Sequence, residues 1–108
     1  MIGKPHASEI VQPLKSASAY DGDNVKFECV CLGNPRPNIA WFHDGKIIRP
    51  SPDFLQFYDQ DNVCLLSIRE VFPEDAGRYT VVGKNTYGTA TCSAELTVHE
   101  NDALKGIS

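Results

Sequence analysis

From Val25 to Cys31 the side chains alternate without a break: Val25, Phe27, Cys29 and Cys31 fall on one face of an extended chain, and Lys26, Glu28 and Val30 on the other. A helix cannot use this pattern, because its buried stripe needs an apolar residue about every three to four positions. Phe54 to Tyr58, Val63 to Ile68, Arg78 to Gly83 and Ala90 to Val98 repeat the same period. Turn residues separate them: Asp21-Gly22, Gly33-Asn34-Pro35-Arg36-Pro37, Asp44-Gly45 and Tyr87-Gly88. The Asp-Gly pairs can take the positive φ angles of tight hairpins. Roughly seven or eight short strands spaced by turns predict an all-β sandwich or barrel. Pro13 cannot donate to a ladder, so the first extended stretch should break or switch sheets there. The one helix-like segment is a single turn at Pro73-Glu74-Asp75-Ala76.

A chain of 108 residues has room for one core, here expected over residues 7–99, with tails or linkers at 1–6 and 100–108. Its 42% hydrophobic and 22% charged residues are those of an ordinary globular domain. The formal net charge of -4, with ten Lys and Arg scattered along the chain, argues against a nucleic-acid or anionic-membrane surface. No apolar run approaches a transmembrane length, and Met1 to His6 lacks the apolar centre of a signal peptide. None of Asn24, Asn34, Asn38, Asn62, Asn85 or Asn101 starts a glycosylation sequon.

The chemistry-bearing residues make no catalytic pattern. His6, His43 and His99 lie in a tail, at a strand end and at the domain exit, with no nucleophile on a sharp turn beside them. Gly83 and Gly88 open no helix and cradle no phosphate. Glu74-Asp75 and Asp21-x-Asp23 sit at turns, where capping accounts for them, and calcium would need a denser oxygen cluster. Cys29 and Cys31 point the same way but lack the two-residue spacer and second pair of a zinc site. All four cysteines are best placed as small buried hydrophobes, Cys92 within an inward set with Ala90, Ala94, Leu96 and Val98. A redox-dependent disulfide among Cys31, Cys64 and Cys92 is the sharper alternative. No cofactor and no metal is expected. Exposed apolar residues at Val30, Leu65, Val82 and Tyr87 would form a docking patch if they met on one face.

Taken together, Cys29, Trp41, Leu66-x-Ile68, Asp75-x-Gly77-x-Tyr79 and the turn Asn85-Thr86-Tyr87-Gly88 resemble an immunoglobulin domain of the intermediate, or I-set, type over about residues 7 to 98. The resemblance implies a β-sandwich of two antiparallel sheets. Trp41 would fill its centre, and Tyr79 would be the tyrosine-corner residue that bonds backbone near Asp75. Gly77 would permit the turn into that strand, and Cys29, Leu66 and Val81 would complete the core. The structural residues are thus Cys29, Trp41, Leu66, Asp75, Gly77, Tyr79 and Val81, with none of them catalytic. Val81 departs from extracellular relatives, which carry there the partner of an inter-sheet disulfide to Cys29. Losing such a bond costs a secreted domain roughly 2 to 5 kcal/mol, whereas in a reducing cytosol nothing is lost. Arg49, in a proline-rich stretch, stands near where relatives place an arginine that pairs with the aspartate at position 75.

Without the disulfide partner, the chain is similar to the titin-like domains of intracellular muscle and cytoskeletal proteins. That similarity implies a non-enzymatic spacer or scaffold in a tandem array, cytoplasmic, in the sarcomere or cytoskeleton. Its partners would be neighbouring immunoglobulin-like or fibronectin-like domains and a sarcomeric or actin-associated protein. Two other readings stand beside it: a protein-docking module, and an extracellular adhesion or receptor domain.

Overall fold

The computed structural model describes residues 3–100, so most of the expected tail at 100–108 lies outside the described residues. The chain forms β1 (His6–Gln12), β2 (Ala17–Tyr20), β3 (Val25–Asn34), β4 (Asn38–His43), β5 (Lys46–Ile47), β6 (Phe54–Tyr58), β7 (Val63–Ile68), a 3-10 turn (Pro73–Asp75), β8 (Gly77–Asn85) and β9 (Gly88–His99). Two sheets result, one ordered β1-β3-β7-β6 and the other β2-β9-β8-β4-β5. The break at Pro13 does what the missing donor demands: β1 stays with β3, while β2 crosses to the other sheet. Strand β1 begins at His6, one residue before the expected boundary.

One pairing departs from the all-antiparallel expectation. β2 runs parallel to β9, with Ala17 opposite Leu96 and Tyr20 opposite His99. The reason is topological: β2 continues the direction of β1, and the last strand leaves the fold along that same direction. The turns also divide. Asp44 and Gly45, both at positive φ, close the β4–β5 hairpin as expected. Asp21-Gly22 instead makes a turn between sheets, with Asp23 N–H on Tyr20 O and Gly22 N–H on Val71 O, both supported by backbone bonds rather than a hairpin ladder.

Alternation places the core. Val25, Phe27, Cys29 and Cys31 of β3, Cys64, Leu66 and Ile68 of β7, Trp41, and Tyr79 and Val81 of β8 are all buried. Each large apolar side chain withdrawn from water contributes about 1.5 to 3 kcal/mol, and here the two inner faces supply them together. Tyr79 is packed between Phe27, at 5.1 Å between ring centroids, and the His43 ring at 4.5 Å. Its hydroxyl donates to Asp75 O at 2.6 Å, tying β8 to the 3-10 turn. The turn is fixed in its own right, because Phe72 N–H donates to Asp75 Oδ2 and Asp75 N–H to Phe72 O.

Gly77 opens β8 at φ +134, where an L side chain is strained, and an added Cβ would lie 2.6 Å from both Asp44 carboxylate oxygens. That carboxylate accepts from Arg78 N–H at 2.8 Å, a bond it would have to give up to make room. Substituting Gly77→Ala should therefore cost about 1 to 3 kcal/mol, and Tyr79→Phe, which removes the hydroxyl's bond to the half-buried Asp75 carbonyl, about 1 kcal/mol. Urea denaturation of the two variants measures both, and the Gly77→Ala loss should be the larger.

Candidate functional site

The residues singled out from sequence fall into two inward rows. In the five-stranded sheet Trp41, Val81 and Cys92 are cross-strand neighbours; in the four-stranded sheet Cys29, Cys64 and Tyr58 are. Cys29 and Val81 are thus both fully buried, on opposite sheets. Leu66 is buried one step along β7. Asp75, Gly77 and Tyr79 converge at the corner already described.

The cysteines differ from the expected set. Cys29, Cys31 and Cys64 are buried, but Cys92 is half-buried, with its Sγ accepting Leu14 N–H at 3.3 Å. The cross-strand neighbour that the sheet gives Cys64 is Cys29, a thiol outside the expected redox-dependent set of Cys31, Cys64 and Cys92. The Cys64 thiol bonds to Cys29, and this bond, together with burial, holds the Cys64 proton well above the ordinary thiol range. Burial likewise pushes the Cys31 thiol up. Cys31 also fixes Gly83: a Cβ there would meet Cys31 Sγ at 2.5 Å.

The expected docking patch does not assemble. Val30 and Leu65 lie on the outer face of the four-stranded sheet and Val82 on that of the other, all three half-buried, while Tyr87 is exposed in the β8–β9 turn. Among the described residues the exposed large apolar side chains are instead Leu55 and Phe57 of β6, with Val11, Tyr20, Ile47, Phe72 and Tyr87 scattered elsewhere. Arg49 makes no ion pair with Asp75 among the described residues. The carboxylate that orders the start of β8 is Asp44.

His43 is a structural residue, its Nε2 donating to Ala76 O at 2.9 Å and its ring stacked on Tyr79. His99 Nε2 meets Ser18 Oγ at 2.8 Å, and His6 Nε2 lies 3.4 Å from Glu9. Among the described residues no group of His, Cys, Asp and Glu is placed to hold a metal ion, and no helix is long and apolar enough to cross a membrane.

Sequence reasoning missed three organising side chains. Asn85 closes the β8–β9 turn by accepting Tyr87 and Gly88 N–H on Oδ1, while its Nδ2 donates to His6 O and Pro35 O. Asn34 Nδ2 donates to Gly3 O and Lys4 O, so the segment expected as a tail is held against the domain. Arg36 lies 3.6 Å over the Tyr58 ring and donates to Tyr58 O, Asp59 O and Asn62 Oδ1. The turn composition around Asn34 and Asn85 was visible, but the carbonyls they reach are distant in sequence.

The immunoglobulin I-set family model matches residues 8–98. The chain belongs to the immunoglobulin I-set family. This I-set domain is 54% identical over 95 residues to titin of Drosophila melanogaster, a match covering 88% of this chain and 0% of that titin to the nearest per cent. It is 38% identical over 111 residues to myopalladin of Mus musculus, covering 94% of this chain and 8% of the relative, and 34% identical over 96 residues to telokin of Meleagris gallopavo, covering 88% and 62%. The chain thus spans less than two thirds of the length of these relatives. Among solved structures, a chimeric titin Z1Z2 carrying an exogenous decorin peptide matches with a TM-score of 0.86 at 33% identity, over 91% of this chain and 100% of that one. Titin Z1Z2 solved in complex with telethonin matches with a TM-score of 0.85 at 33% identity, over 91% and 49%. The chain is a titin-like I-set domain.

Two outcomes follow from the burial of this core. A maleimide should label at most Cys92 in the native I-set domain and all four cysteines after unfolding, as read by intact mass. Tyr58 donates its hydroxyl to Cys31 O at 2.7 Å, and burial pushes its pKa up to about 12; Tyr79 is raised too, by burial and then by the Asp75 and Asp44 carboxylates. An unfolded tyrosine ionises near pH 10. Between about pH 10 and 12 the unfolded chain therefore sheds protons that the folded one keeps, so this stability is complete below about pH 10 and declines above it. Thermal melts across that window should show a shallower decline for Tyr58→Phe than for the parent chain.

Proposed function

We propose that this domain is a load-bearing spacer in a tandem array of immunoglobulin-like or fibronectin-like modules, in a cytoplasmic muscle or cytoskeletal protein. The observation that carries the reading is the parallel pairing of β2 with β9. The chain enters at the end of the sandwich marked by Asn34 and Asn85 and leaves at the end marked by Tyr20 and Asp21. Tension between the termini would pull two parallel strands in opposite directions along their lengths. Their hydrogen bonds are then loaded in shear and must break together, each worth only about 1 kcal/mol net.

Side chains brace the same junction. Asp21 N–H donates to His99 O at 2.8 Å, Glu95 N–H to Ser16 Oγ at 3.0 Å, and Ser18 Oγ meets His99 Nε2. The identity with titin over nearly the whole domain supports the same placement, and the core built without a Cys29 disulfide partner at Val81 suits a reducing compartment. A sarcomeric or actin-associated partner would be met through the array.

Pulling a concatemer of this domain in a single-molecule instrument should give discrete, all-or-none unfolding events. The double variant Ser16→Ala and Ser18→Ala should lower their mean force while leaving the contour length released unchanged. Smooth extension without events would sink the load-bearing reading.

A further inference from the structure

Pro13 does more than send β2 to the other sheet. The ladder between β1 and β3 stops at Gln12 opposite Val30, so Cys29 is the next residue of β3, just past its end. A cleft of about 60 Å³ opens there, lined by Gln12, Glu28, Cys29, Val30 and Val63. One water needs only about 10 to 15 Å³ of such space. The cleft therefore admits a molecule the size of hydrogen peroxide.

On the other side of Cys29 runs β7, whose register sets Cys64 directly opposite. Cys31 N–H donates to Asn62 O, and antiparallel ladder bonds recur at every second residue, so Cys29 and Cys64 are likewise a pair that exchanges both backbone bonds. Their α-carbons are then about 5.5 Å apart, within the span that a disulfide bridges. Both side chains are buried on the inner face, and the Cys64 S–H donates to the Cys29 sulfur. Distance excludes the other partners of Cys64. Cys31 lies on the diagonal, about 7 to 8 Å away, and Cys92 belongs to the other sheet, about 10 Å across, with its Sγ taken by Leu14 N–H.

We propose that Cys29 and Cys64 form a reversible oxidation site, closed to a disulfide across β3 and β7 by hydrogen peroxide and reopened by a small dithiol. The bond from the Cys64 S–H lowers the Cys29 pKa against the burial that raises it, so Cys29 is the sulfur that ionises and attacks. Its thiolate takes one peroxide oxygen, and the O–O bond breaks. The departing hydroxide takes up the proton that Cys29 released, giving water and a Cys29 sulfenic acid. The Cys64 sulfur then attacks the Cys29 sulfur, the S–O bond breaks, and hydroxide leaves with the Cys64 proton as a second water. Two thiols and one peroxide become one disulfide and two waters, the sulfurs losing the two electrons that the peroxide gains. Closure draws together β-carbons that the ladder holds about 5.5 Å apart, toward the roughly 3.5 to 4.5 Å of a disulfide. A bridge under such strain is reduced more readily than a structural one. The pair lies in the four-stranded sheet, away from the β2–β9 junction, and does not rest on the load-bearing reading.

The test treats the native chain with hydrogen peroxide, alkylates the remaining thiols in denaturant, and reads intact mass and linked peptides. Two of the four thiols should be lost, with Cys29 joined to Cys64, and dithiothreitol should return all four. In Cys64→Ala the Cys29 sulfenic acid has no partner and should be trapped by dimedone, whereas Cys31→Ser should keep the bridge. If either variant does not fold, the peptide map of the parent chain decides alone. Four free thiols after peroxide, a bridge joining any other pair, or a bridge that forms only in urea would each overturn the proposal.

Discussion

Two amphipathic sheets have no reason to stay together except the side chains between them, and here that contact runs through the buried rings and branched chains of Trp41, Tyr79, Phe27 and Val81. A sandwich interior is as dense as an organic crystal, so each inward residue constrains its neighbours. Gly83 is the size that Cys31 permits, and Gly77 the size that Asp44 permits. Val81 occupies its place with the volume that the sheets require, next to Trp41 and Cys92 in its own sheet.

The same packing decides where polar groups go. Tyr79 can be buried because its hydroxyl reaches Asp75 O, and that bond ties the start of β8 to the 3-10 turn. His43 shares the corner by stacking on Tyr79 while donating to Ala76 O. At the opposite end, Asn34 and Asn85 hold the entering chain by its carbonyls. Both ends are therefore fastened by short-range polar bonds, and the strands between them by ladder and core. Such a division suits a module whose termini lie at opposite ends of its long strands.

Much of this was legible because strand alternation is a local property. The inward sets of β3, β7 and β8 could be read residue by residue, as could the sheet switch at Pro13 and the tight hairpin at Asp44-Gly45. Parity failed wherever the question concerned which sheet a face belonged to. Val30, Leu65 and Val82 all point outward, but from two sheets, so no patch forms. Leu55 and Phe57 passed unnoticed in the same way, since a strand with apolar residues on both faces does not announce that it lies at an edge.

By itself the sequence determined the strands, the inward faces, the I-set pattern from Cys29 and Trp41 to Tyr79, and the absence of a thiol at position 81. These depend on side-chain period and on residue identity, which neighbours in space do not alter. Only the tertiary structure decided that Cys64 lies beside Cys29, that Asp44 rather than Arg49 orders the start of β8, that β2 joins β9 in parallel, and that β6 is an edge strand of its sheet. Each of those is a pairing between segments far apart in the chain, set by which arrangement of sheets buries all the inward faces at once.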